Sequence, residues 1–227
     1  MNTATHFLTG YLIGRLAVKR ENGNVNYFIP FFVAMVALLP DLDAFLHLII
    51  PIEAFEHAIF THTIIGALLL TVIYTIITWG IGHNYLKELD IDFKFLLLIA
   101  LAGIASHLIL DIFTYREDIW TTSAHLYFWP LSNFSFHLNA FFHQSVYPNI
   151  YIIRIIIEVI YTAFLVVIII FYGWFYKKEN PFLMFFPENW SKFASESARI
   201  EETKRIAYFL LIFNFGLITL MVISLFA

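Results

Sequence analysis

In the stretch SHLILDIFT at 106–114, His107 and Asp111 stand four residues apart, a spacing that puts an imidazole and a carboxylate on one face of a helix. Such a pair can join two helices through a polar contact, or it can supply two ligands to one metal ion. The run around it is apolar, and an ionisable pair in hydrocarbon is expensive, so a functional role is the default expectation. A second pattern, LLPDLD at 38–43, closes an apolar run that opens at Tyr27. Pro40 there can loosen the helix and aim the carboxylates of Asp41 and Asp43. The plainer alternative is a helix end carrying two solvated acids.

A third pattern is HAIFTHT at 57–63, with His57 and His62 bracketing the start of another apolar run. Histidine is the commonest nitrogen ligand for metals, and it is also at home as a polar side chain at a membrane interface. His6, close to the start of the first apolar run, adds a fourth candidate. The chain has no cysteine, which excludes a disulfide framework, a thiolate metal site and a cysteine nucleophile. Any metal is therefore left to His, Asp or Glu.

Composition indicates what positions these residues. Of 227 residues, 60% are hydrophobic and 13% charged, with a mean hydropathy of +0.78. A soluble fold could not hide that much apolar surface. Six apolar segments stand out, at about 4–18, 27–50, 60–81, 94–113, 150–176 and 205–226, and no sequence repeat links them. Backbone groups in lipid must bond within their own segment, and the alternation of barrel strands is missing, so the expected fold class is all-α: a polytopic bundle of five to six hydrophobic helices. The expected organisation is one membrane-embedded domain over 1–227. Residues 1–149 would carry the site helices and a long outer connection. Residues 150–227 would add two helices joined by an amphipathic stretch, PFLMFFP followed by SKFASESARIEETKR, lying on the inner surface. Met1 to Gly14 lacks a basic leader and a small-residue cleavage site, so it does not read as a removable signal peptide.

Orientation follows from the basic residues. Arg15, Lys19 and Arg20 lie at the first connection, Lys87 and Lys94 at the third, and Lys177, Lys178, Lys192, Arg199, Lys204 and Arg205 at the fifth. Only Arg116 and Arg154 remain for the other side, so the alternate connections are expected in the cytoplasm. At 1.5 Å per residue, Asp41 then lies about 21 Å above Tyr27, and His107 about 20 Å above Lys94. His57 and His62 begin a helix running inward. Four separate stretches thus bring His or Asp to the extracytoplasmic half of a cell-membrane protein. His6 joins them only if the first segment crosses, and 15 residues is short for that.

The connection at 114–149 adds His125, His137, His143 and Trp129-Pro130 among many aromatic residues, and reads as an interfacial belt rather than a second metal site. His47 is ambiguous, and His83 belongs to the opposite side. Arg116, next to the HxxxD helix, could hold a phosphate bidentately or anchor the helix by snorkelling. The net charge of −4 forms no basic stripe, so nucleic acid is not an expected partner.

Taken together, His6 with Gly10, LLPDLD at 38–43, HAIFTHT at 57–63, SHLILDIFT at 106–114 and WPLS at 129–132 resemble the YdjM-type family of inner-membrane metal-dependent hydrolases in order and approximate spacing. The resemblance covers the first 132 residues. The family motif HRxxTHS is met here with Ala58 in place of Arg and Thr63 in place of Ser. A more distant likeness is to zinc-dependent phospholipase C and related nucleases, all-α enzymes whose His…Asp…His…HxxxD order would read here as His6, Asp41 or Asp43, His57 or His62, then His107 with Asp111.

What the resemblance implies is a divalent metal, zinc first and manganese second, held among His6, Asp41, Asp43, His57, His62, His107 and Asp111. Asp41, Asp43 and Asp111 would be the catalytic carboxylates. The implied reaction is attack of metal-activated water on a phosphoester, with the lipid bilayer as partner, a lipid or phosphoester as substrate and Arg116 on the phosphate. Two other classes compete. A transporter or channel would carry ions or protons along intramembrane His and Asp, but it predicts polar residues through the whole depth, and the inner halves of segments 3, 4 and 5 hold few ionisable groups, Glu158 being the main exception. A membrane scaffold would use the inner amphipathic stretch to dock a partner.

Overall fold

A computed structural model describes residues 3–18, 27–43, 60–112, 128, 130–132, 150–178, 180 and 208. His47, His57, Arg116, His125, His137, His143, the amphipathic stretch and all of the sixth segment except Tyr208 lie outside the described residues, as do the side chains of Arg154 and Glu158. The described elements are helices α1 (Thr3–Ala17), α2 (Phe28–Val36), a 3-10 turn at Leu39–Asp41, α3 (Ile64–Glu88), α4 (Phe93–Ile112) and α5 (Ile150–Ile170), which runs on as a π-helical segment at Phe171–Lys177. No strand occurs among the described residues, and the fold is an all-α membrane bundle. Three helices, Ile64–Glu88, Phe93–Ile112 and Val159–Lys177, are long and apolar enough to cross a membrane.

The second apolar run departs from one continuous helix. α2 stops at Val36, after nine residues or about 14 Å, too short to cross a bilayer alone. Pro40 lacks an N–H, and the chain tightens around it into 3-10 geometry, with the Asp41 N–H donating to the Leu38 carbonyl at 3.1 Å. All nine residues of α2 are buried, and α1, α3 and α4 pack against it.

Close backbone approach permits that burial. A Cβ at Gly10 would lie 2.7 Å from both Ala37 Cβ and Val33 O, and one at Gly14 would lie 2.7 Å from Pro30 Cα, so α1 rests directly on α2. Gly103 does the same for α4, where a Cβ would meet Val33 Cγ1 at 3.0 Å. Small residues four apart are how lipid-embedded helices gain packing contacts when no hydrophobic drive separates helix from solvent. On the α3 side, Phe32 stacks on Tyr74 at 5.6 Å and Phe28 meets Tyr85 edge-on at 5.7 Å. The opposite face of α3 exposes Leu69, Ile73, Ile76 and Ile77, a stripe that lipid, not water, would cover.

α3 begins and ends with defined caps. Thr63 accepts the Gly66 N–H at 2.9 Å as N-cap. At the far end Asp90 takes the left-handed conformation (φ 54°), and the Ile91 N–H returns to the Leu86 carbonyl at 2.9 Å. Asp92 then starts α4 by accepting the Phe95 N–H at 2.6 Å. These stops make α3 seven residues longer at its C-terminal end than the apolar run at 60–81 suggests, because Gly82–Glu88 stays helical although its composition turns polar.

Helix directions place the ends. Thr5 and Thr162 share a hydroxyl hydrogen bond of 2.8 Å, and the Arg15 guanidinium sits 5.8 Å from the Tyr172 ring centre. Both contacts have the same offset in sequence, so α1 and α5 run parallel. Arg15, Lys87, Lys94 and Lys177 therefore gather at one end of the bundle, and His6, Asp41, His62 and Asp111 at the other.

Candidate metal centre

Six of the residues singled out by type and spacing meet in one buried group. α1 contributes His6, the turn after α2 contributes Asp41 and Asp43, the residue before the α3 cap contributes His62, and the last turns of α4 contribute His107 and Asp111. Around it, His107 Nε2 lies 2.9 Å from Asp111 Oδ2, 3.3 Å from His62 Nε2 and 3.8 Å from Asp41 Oδ1. His62 Nε2 lies 3.5 Å from Asp111 Oδ2 and 3.7 Å from Asp41 Oδ1. His57 and Arg116 fall outside the described residues.

Local breaks in helical pairing orient the two imidazoles. In a continuing helix the Ala37 carbonyl would accept the Asp41 N–H, but the 3-10 turn diverts that donor to Leu38. The freed carbonyl lies 2.7 Å from His107 Nδ1. A carbonyl only accepts, so Nδ1 carries the proton and Nε2 presents a lone pair. On His62 the same logic runs through a carboxylate. Asp43, with no exposed surface, accepts at Oδ2 from the Thr61 hydroxyl at 2.6 Å and from His62 Nδ1–H at 3.1 Å. His62 Nε2 is then also a lone pair.

With both rings neutral, the result is two imidazole lone pairs and two carboxylate oxygens converging with no proton donor among them. Four acceptors facing one another under burial repel unless a cation, or protons in its place, sits between them. The separations are those of ligands around an ion. Nitrogen and oxygen donors placed tetrahedrally at 2.0–2.2 Å from zinc stand about 3.3–3.6 Å apart, and the five distances above bracket that range. Two overlapping triads, His6–Asp41–His107 and His62–His107–Asp111, each have their ligand atoms within 4.8 Å of one another. These buried His and Asp groups could hold a metal ion.

Asp43 stands apart from the four. The structure brings it to the Nδ1 side of His62, away from the Nε2 face where Asp41, Asp111 and His107 meet. Thr61, which no sequence argument selected, holds that carboxylate in turn. Its place in the HRxxTHS motif, directly before His62, was the available signal. The Ala37 carbonyl had none, since a backbone acceptor freed by a tertiary turn is independent of residue type. The Thr63 hydroxyl acts as helix cap and also donates to the Phe60 carbonyl at 2.7 Å, a task that Ser performs equally well. The positive end of α3 thereby points toward the carboxylates.

Residues 1–186 match the family described as YdjM inner membrane protein, which takes in all six clustered residues and the four helices around them. The chain belongs to the YdjM inner membrane protein family. The match ends beyond α5 and leaves the sixth apolar segment outside it. Neither the curated proteins nor the solved structures include a match to the chain. Membership in this YdjM family and three helices apolar enough to cross a bilayer identify a membrane protein.

Asp41 is the one side chain of the four acceptors with appreciable exposure, at 14%, where the others have 4% or less. Thr71 donates to the Ala67 carbonyl at 2.8 Å and Thr75 to the Thr71 carbonyl at 2.7 Å, so both hydroxyls turn back onto their own helix.

Proposed function

We propose that this YdjM-family protein is a multi-pass, metal-dependent hydrolase whose site opens on the extracytoplasmic side of the cell membrane. The observation that carries the reading is the convergence of His62 Nε2, His107 Nε2, Asp41 Oδ1 and Asp111 Oδ2 at 2.9–3.8 Å, with both Nδ1 atoms already engaged. These four residues would hold a divalent ion, zinc first and manganese second. Bound there, such an ion supplies Lewis acidity and lowers the pKa of water toward neutrality.

The chain's own residues do the rest. Asp43 and Thr61 fix the tautomer and angle of His62, and Ala37 does so for His107. Asp41, the most exposed of the four, is the carboxylate on the side from which water would come. The site sits at the end of helices whose outer faces are apolar, which favours a phosphoester of a lipid over a soluble one. Arg116, five residues past Asp111 in sequence, would bind the phosphate. Basic residues at the opposite end of the bundle support the orientation.

Elemental analysis of detergent-purified protein tests the reading. Wild type should carry stoichiometric zinc or manganese, and His107→Ala and Asp111→Ala should lose it, together with hydrolysis of phosphoester lipids. Absence of metal from the reconstituted wild type would refute the proposal.

A further inference from the structure

His6 is not explained by a single ion at the four acceptors. Its side chain has no exposed surface, and neither ring nitrogen makes a hydrogen bond. Nε2 does lie 3.2 Å from Asp111 Oδ1, close enough for an ion pair but out of hydrogen-bond direction. The ring stacks on His107 with centres 3.7 Å apart and planes 23° from parallel. A neutral imidazole carries one N–H and one lone pair, and a metal ion would take the lone pair that no donor reaches here. A residue that merely filled this space would be expected to be apolar.

His107 cannot serve both triads with separate ions. Its Nδ1 proton is committed to Ala37, so it offers one lone pair, and that lone pair already faces His62 and Asp111 Oδ2. The carboxylates are not limited in this way. Asp111 divides its oxygens, Oδ2 toward His62 and His107 and Oδ1 toward His6. Asp41 turns Oδ1 toward His62 and His107, while Oδ2 is buried without a hydrogen bond, and Asp41 groups with His6 within 4.8 Å.

We infer that the centre takes two divalent ions: one on His62 and His107, and a second on His6, with the carboxylates of Asp111 and Asp41 shared between them. This rests on the metal-centre reading above and extends it, because a carboxylate-bridged ion pair suits displacement at phosphorus, where two ions stabilise the entering and leaving oxygens. A phosphoester is the substrate class that such a pair suits.

Metal stoichiometry and spectroscopy test this without reference to activity. Detergent-purified wild type loaded with manganese should bind two ions per chain, and His6→Ala should bind one. Electron paramagnetic resonance of the manganese-loaded wild type should show the multiline signal of an exchange-coupled pair, collapsing to an isolated six-line spectrum in His6→Ala. The wild-type spectrum is informative even if the variant fails to fold. A single ion with a six-line spectrum in the wild type overturns the second position and leaves the first standing. Two ions retained in His6→Ala overturn His6 as its ligand. No metal in the wild type overturns both readings.

Discussion

Replacing Asp43 by asparagine tests whether that carboxylate works through His62 or binds metal itself. The side chain keeps its shape and loses its charge. In the folded protein Asp43 Oδ2 takes two donors, the Thr61 hydroxyl at 2.6 Å and His62 Nδ1–H at 3.1 Å, and it lies on the side of the imidazole away from the other acceptors. A carboxylate in that position raises the basicity of the ligating nitrogen and holds the ring in plane, and its loss costs about 10–100-fold in metal affinity. That range corresponds to about 1.4–2.7 kcal/mol. Thr61→Val removes one donor but leaves the charge, so its effect should be smaller, under about tenfold. The assay is titration of metal-free, detergent-solubilised protein against a competing chelator, followed by elemental analysis at saturating metal. Asp43→Asn should bind the full complement of metal more weakly. A reduced stoichiometry at saturation would make Asp43 a direct ligand, and an unchanged affinity would break the link between Asp43 and the centre; either outcome refutes the reasoning.

Two further predictions concern the scaffold. Gly10→Ala would bring a methyl group to 2.7 Å from Ala37 Cβ and the Val33 carbonyl, neither of which can swing away, so α1 must move off α2 at a cost of about 1–3 kcal/mol. Thermal unfolding in detergent should show a lower midpoint, with metal affinity falling too because His6 sits one turn before Gly10 on the displaced helix; an unchanged midpoint would contradict the close approach. At the α3–α4 turn, Asp90→Gly should leave the midpoint unchanged or raise it slightly. Asp90→Val places a β-branched residue at φ 54° and should cost about 1–2 kcal/mol, so equal midpoints for the two variants would argue against the left-handed cap.

Much of the architecture was legible because hydrocarbon is a demanding solvent. Long apolar runs located α3, α4 and α5 to within a few residues, except where α3 continues past the apolar segment under control of its C-terminal cap. The alternation of basic residues along the chain anticipated which helix ends lie together, and that placed Asp41, His62 and His107 at a common end, with His6 joining them only if the first segment crosses. The HxxxD spacing anticipated the short His107–Asp111 contact, since positions four apart on a helix must be neighbours.

Other features depended on contacts between segments distant in sequence. Whether the short first segment brings His6 into the group turned on α1 lying against α2 through Gly10 and Gly14, a four-residue glycine spacing that could have been noticed. The length of α2 and the release of the Ala37 carbonyl followed from the 3-10 turn at Pro40, and a proline alone does not say which carbonyl is freed or what will occupy it. The separation of Asp43 from Asp41 was beyond any reading of spacing, because two carboxylates two residues apart look equivalent until the fold turns one toward Nδ1 of His62 and the other toward Nε2. By itself the sequence determined a membrane-embedded helical bundle and the kinds of side chain collected at one end of it, because burial and helical period act on each segment separately. Only the tertiary structure decided which nitrogen and which oxygen face the centre, because that depends on where one segment's unpaired backbone and side-chain groups find partners on another.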